Sequence, residues 1–222
     1  MNDLINLLQR RNLVWQGSEQ KPALVRLSTG YSELDTRLNG GFPANGVVQL
    51  SSPMGIGEIR LLLPFIKKQQ RLLVVINPPG HLCAEQLHHF GCDISQVLVI
   101  FPSSPTDALW AAEKCLNSGA CGSVLMWQNC LDVHHVRRLQ LASEAGDCLL
   151  FVLRAAQKNA ISLPVTLDMG LFADEQGLQV EIRKRKGGWP LPGFQVDMRQ
   201  HWPSLTLNQP ANVVHFPTAK SM

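Results

Sequence analysis

Short, almost wholly apolar runs alternate along the middle of the chain with longer segments whose apolar residues recur at helical spacing. Val47-Val48-Gln49-Leu50, Leu72–Ile76, Val97–Ile100, Ser123–Trp127 and Cys148–Leu153 read as strands. Runs of this kind suit strands covered on both faces, as in a parallel sheet. Glu58–Gln69, Ala84–Phe90, Ser104–Gly119 and Val133–Glu144 read as helices, the first with an expected kink at Pro64. Ser104 followed by Pro105 is a helix start, a hydroxyl cap and then a residue that needs no N–H. An earlier helix is expected from an N-cap at Ser32 to Asn39-Gly40-Gly41. The alternation predicts an α/β fold, a mainly parallel sheet flanked by helices on both faces.

The rhythm changes further on. Val165–Leu171 and Leu178–Arg185 flank the turn Asp174-Glu175-Gln176-Gly177 and predict a C-terminal antiparallel ribbon. From Met198 the chain is rich in proline and polar residues without a period, so 198–222 is expected to be a flexible tail. At the other end, Leu4, Ile5, Leu7 and Leu8 form the apolar side of a short amphipathic helix within residues 1–16, and a polar linker follows.

Composition narrows the class. A chain of 222 residues, 45% hydrophobic, is long and apolar enough for one domain with a large core. Its net charge of +3 is too mild to argue by itself for nucleic-acid binding. Six cysteines sit in apolar surroundings without disulfide-scaffold spacing, and are expected to be reduced, buried thiols of a cytoplasmic protein. The first residues carry no secretory signal pattern, and no apolar run reaches the length of a membrane span.

The strand–loop–helix beginning at Val47 is where a phosphate-binding loop would sit. A working loop, G-x-x-x-x-G-K-[ST], wraps backbone N–H groups around phosphates, adds a lysine charge and holds Mg²⁺ through a hydroxyl. Here the same spacing carries Ser52-Pro53-Met54-Gly55-Ile56-Gly57-Glu58-Ile59. Gly57 keeps the second glycine, but Ser52 stands at the first, Glu58 at the lysine and Ile59 at the hydroxyl. A carboxylate there suits the positive end of a helix and repels a triphosphate. On spacing alone, a tight turn in an ordinary α/β protein is an equal reading.

The flanking residues add a resemblance. Ser28-Thr29-Gly30, Leu34-Asp35, Gly40-Gly41-Phe42-Pro43 and Gly46-Val47-Val48 resemble the entry to the ATPase core of RecA recombinases, and Leu178–Lys186 with Trp189-Pro190 looks like its late strand. The resemblance covers roughly residues 26–190 and implies a RecA-like P-loop core. Within that superfamily the chain resembles the ImuA/SulA group of SOS-response proteins. Gly55–Pro64, Asn77-Pro78-Pro79, Asp107–Glu113, Ser118–Gly122 and Arg137–Ala142 carry the likeness. Aligned on that core, the Walker B acid falls at Trp127 and the catalytic glutamate at Pro78 or Pro79. Phosphate neutralisation, metal anchoring and water activation are lost together, which implies a non-catalytic protein without a cofactor, its fold reused for docking.

The fuller coverage favours ImuA, an accessory of SOS-induced translesion synthesis that accompanies the polymerase-like ImuB, with RecA as a further candidate partner. The alternative is a SulA-like division inhibitor that binds FtsZ, and a third reading is a residual RecA-like ATPase. Candidate contacts with a partner or DNA are Leu4, Ile5 and Leu8, the basic pair Arg183 and Arg185, and Trp202 in the tail. On a regular strand Arg183 and Arg185 share one face and Lys184 and Lys186 the other. The run reads rather more readily as a solvated edge that resists aggregation. Trp110 and Trp127 are expected in the core. His81, Cys83, His88, His89 and Cys92 match no tetrahedral zinc spacing and read as surface histidines with packed thiols.

Overall fold

The computed structural model describes residues 25–156 and 162–203. The segment that would carry Leu4, Ile5 and Leu8 lies outside the described residues, as does 204–222.

The apolar runs form the strands they predict. In chain order these are β1 (Arg26–Leu27), β2 (Phe42–Pro43), β3 (Gly46–Ser51), β4 (Leu72–Ile76), β5 (Val97–Ile100), β6 (Cys121–Trp127), β7 (Leu149–Arg154), β8 (Leu167–Asp174), β9 (Gly177–Arg185) and β10 (Leu191–Asp197). The helices are α1 (Ser32–Arg37), α2 (Glu58–Ile66), α3 (Ala84–Phe90), α4 (Pro105–Asn117) and α5 (Val133–Ala145). β3 to β10 build one eight-stranded sheet in the order β10-β9-β8-β3-β7-β6-β4-β5, while β1 and β2 pair separately. β8, β3, β7, β6, β4 and β5 run parallel, and β9 and β10 add antiparallel. The fold is therefore mixed α/β, a mainly parallel sheet with helices on both faces and antiparallel strands at one end.

β3, β4, β6 and β7 each feed two cores because side chains alternate across the sheet. Val48, Leu50, Phe151, Met169, Val180 and Val196 pack on one face with Leu34, Phe42, Leu61 and Phe65. Val47, Val74, Met126, Leu150 and Val152 pack on the other with Ala108, Ala112, Leu116, Val136 and Leu139 of α4 and α5. Ser104 caps α4, its hydroxyl accepting from the Asp107 N–H, with Pro105 first in the helix.

Four expectations need correction. Ser32 is the first residue of α1 and not its cap: Tyr31 occupies that place without a side-chain cap bond. Asp35 instead reaches back and accepts from the Thr29 N–H and hydroxyl, both at 2.7 Å, and from the Ser28 hydroxyl, which pins the Ser-Thr-Gly entry. The ribbon has a third strand, β10, whose Phe194 and Val196 are buried. Residues 198–203 are not a loose tail: Met198 is buried, and Trp202 packs against the core. Finally, only Cys92, Cys121 and Cys148 are buried, whereas Cys83 and Cys130 are exposed.

Candidate functional site

β3 delivers the chain into the loop Ser52–Gly57, and α2 leaves it. Gly57, immediately before the helix, has φ of 115°, a left-handed conformation that an L side chain resists. The turn aims the N–H groups of Gly55 and Gly57 inward, the arrangement that cradles an anion. The anion is the chain's own. Glu58 Oε1 accepts from the Gly55 N–H and Oε2 from the Gly57 N–H, each at 3.1 Å. Glu58 as a whole is 5% exposed, and its carboxylate occupies the cradle from within. Ile59, at the hydroxyl position, packs against the core instead of facing the loop.

Ser52, Glu58, Pro78, Pro79 and Trp127 line one cavity of about 410 Å³ at the C-terminal ends of β3, β4, β6 and β7. The degenerate positions picked out one by one along the sequence are thus brought together, apart from Ile59. Trp127 is buried in the face shared with α2, and its carbonyl accepts from the Asn77 side-chain amide at 3.2 Å. Among the described residues, Glu58 is the one carboxylate in the lining, and no lysine lines it.

Sequence reasoning missed Arg154, which also lines this cavity. Its guanidinium donates to Gln49 Oε1 at 3.3 Å and to the Asn129 carbonyl at 3.1 Å. The Gln49 amide in turn donates to Asp168, whose pKa is raised from its ordinary value by burial. The signal was a lone arginine ending an apolar strand, where a parallel sheet opens onto its crevice.

The remaining candidates scatter. The β8–β9 register runs from Asp174↔Gly177 to Met169↔Ile182, then shifts so that Asp168 faces Lys184 and Leu167 faces Arg185. Arg183 is the extra residue of a β-bulge. Arg183 and Lys184 therefore share the face of Asp168, and Arg185 points to the opposite face. This overturns the expected pairing of Arg183 with Arg185. Arg183 is paired with Glu181 at 3.1 Å, and Lys184 donates to the Leu163 carbonyl at 2.8 Å. Trp202 is not an exposed anchor: its ring stacks on Phe90 with centroids 4.4 Å apart, and Nε1 donates to the Tyr31 hydroxyl. Trp110 departs in the other direction, 62% exposed on α4. Among the described residues, no three of His, Cys, Asp and Glu gather as metal ligands.

Residues 43–150, which include the loop, β3, β4, β6 and all the helices after α1, match the family model described as cell division inhibitor SulA. The chain is similar to the SulA group. A cell division inhibitor SulA of Yersinia pestis is 28% identical over 123 residues, 55% of this chain and 73% of that protein. RecA proteins match more partially. That of Corynebacterium pseudotuberculosis is 26% identical over 114 residues, 50% of this chain and 31% of the relative, and that of Clavibacter michiganensis is 28% identical over 135 residues, 59% and 36%. The chain thus spans about a third of the length of these RecA relatives. The crystal structure of SulA from Pseudomonas aeruginosa is similar at a TM-score of 0.42 and 24% identity, over 49% of this chain and 98% of that one.

Proposed function

We propose that this protein is a non-catalytic, SulA-like inhibitor of cell division in the SOS response, acting in the cytoplasm by binding FtsZ. The observation that carries the reading is the match of residues 43–150 to the SulA family model, supported by the Yersinia pestis relative. The site agrees with it chemically. A RecA-like P-loop core whose cradle is filled by Glu58, with Trp127 at the metal-anchoring position, keeps the scaffold and gives up the nucleotide. Such a core serves as a rigid surface for a protein partner. The test is direct binding: immobilised FtsZ should capture the purified protein in saturable fashion, and lack of capture at concentrations well above those of FtsZ in the assay argues against the reading.

One observation favours a second reading. β8, β9, β10 and the docked segment to Trp202 lie outside the SulA-matched stretch. An ImuA-type accessory of translesion synthesis, bound to ImuB and to RecA, would use such an extension for added contacts. Capture of ImuB in the same assay, with no capture of FtsZ, would favour it.

A further inference from the structure

The bulge at Arg183 has moved Arg185 to the face where α1 packs, and there it meets other arginines. Its Nη1 donates to the Arg37 carbonyl at 2.8 Å and its Nε to the Trp189 carbonyl at 2.9 Å. Gly188 permits this: a Cβ there would meet Arg185 Nε at 2.3 Å. Two donors of the guanidinium are thus tied to backbone carbonyls, and the rest of its fork is left unspent. Arg26 lies beside it, and burial followed by the Arg185 charge holds its pKa below the usual arginine value. The Arg37 guanidinium sits over the Phe194 ring, 5.3 Å from the centroid.

Among the described residues these cations have no acidic partner within 4 Å. Among the described residues, the ion pairs within 4 Å involve Arg71, His135, Arg138, Arg183 and Arg199, and none involves Arg26, Arg37, Arg185 or Lys186. Glu33, one turn before Arg37 on α1, makes no such pair. Like charges held together without a carboxylate cost stability unless an anion sometimes joins them. Beside them stands the most exposed large hydrophobic residue among those described, Trp189, at 84%. Its backbone is held by Arg185, so the indole is presented on an anchored loop.

We propose that Arg26, Arg37 and Arg185, with Trp189 and the exposed Lys186 of the turn closed by the Arg185–Gly188 bridge, form a binding site for single-stranded nucleic acid. The guanidinium and ammonium groups take the phosphates, and the indole stacks on a base. Guanidinium suits phosphate because its planar fork can donate two parallel hydrogen bonds. A π-face beside a basic track is the chemistry of sequence-tolerant single-strand binding. An acidic protein segment would use the same cations but gains little from a fully presented indole. The site lies wholly outside the SulA-matched stretch and does not depend on whether FtsZ is the partner.

The test is fluorescence anisotropy of a labelled oligothymidylate of about 20 nucleotides titrated with the full chain at low salt. The proposal expects binding that weakens steeply with salt and about tenfold or more with Lys186→Glu or Arg185→Glu. Trp189→Ala should weaken it about fivefold, with Trp189→Phe largely retaining affinity, and thermal melts confirm that each variant folds. Trp189 and Lys186 are exposed, so their variants keep the test informative if Arg185→Glu does not fold. Absence of binding to the oligonucleotide overturns the proposal. So does oligonucleotide binding indifferent to both Trp189→Ala and Lys186→Glu. Preferential binding of polyglutamate, unaffected by Trp189→Ala, overturns it in favour of an acidic protein partner.

Discussion

The hydroxyl of Tyr31 donates a hydrogen bond to the backbone carbonyl of Arg60 at 3.0 Å. That carbonyl would ordinarily accept from the N–H four residues on, but position 64 is proline and has none. α2 is helical through Pro64, and Tyr31 supplies the missing donor. The same hydroxyl accepts from Trp202 Nε1 at 3.2 Å, so one buried oxygen joins the α1 entry, α2 and the segment after β10.

Tyr31→Phe should leave both groups without their partner and lower stability by about 1–3 kcal/mol. Denaturant unfolding measures it. In a Pro64→Ala background the helix regains its own donor, so the same change should cost less. Equal costs in the two backgrounds would show that the two residues are not coupled.

Alkali should loosen the fold. Burial pushes the Tyr31 hydroxyl up to about 12, and the thiols of Cys115 and Cys148 up to about 11 and about 12. The native state therefore keeps protons that the unfolded chain releases from about pH 9 upward. Stability is full below that pH and falls as pH rises towards 12. Urea titrations at pH 8, 9.5 and 10.5 should show a declining midpoint, with the decline reduced in Cys148→Ala.

The segment after β10 should behave as part of the domain. Trp202→Ala removes the stack on Phe90 and the bond to Tyr31, and should cost about 1–3 kcal/mol. Truncation after residue 195 would also remove the buried Val196 and Met198, and should abolish a cooperative thermal transition near that of the full chain.

These elements show what the sequence carried. The strand–helix alternation from Val47 to Leu153 was legible because parallel strands covered on both faces are written as apolar runs, and Ser104-Pro105 marked a helix start by local chemistry alone. β10 was hidden by Pro190, Pro192 and Gly193, which read as loop although Phe194 and Val196 keep the alternation. The Arg183 bulge leaves no local mark, because register is set by pairing with β8. Trp110 and Trp127 look alike in sequence, yet one lies on an outer helix face and the other inside the sheet. At the loop before α2, spacing located Ser52 and Glu58, and the resemblance located Trp127, but neither showed the return of the Glu58 carboxylate onto its own cradle.

That return predicts an inert loop. Purified protein should not hydrolyse ATP above background, and Glu58→Lys alone should not create turnover, because the acid at Trp127 is still missing. Glu58→Ala should destabilise the fold by about 1–3 kcal/mol, since the Gly55 and Gly57 N–H groups lose their acceptor. DNA-stimulated phosphate release, followed with a coupled assay, would overturn the non-catalytic reading.

The measurement closest to the central claim is FtsZ assembly followed by light scattering and GTPase rate, as the purified full-length protein is titrated in. A SulA-like inhibitor should suppress both in proportion to its concentration, completely near stoichiometric amounts. Unchanged FtsZ assembly and GTPase at concentrations that saturate an ImuB complex would contradict the account and assign the protein to translesion synthesis.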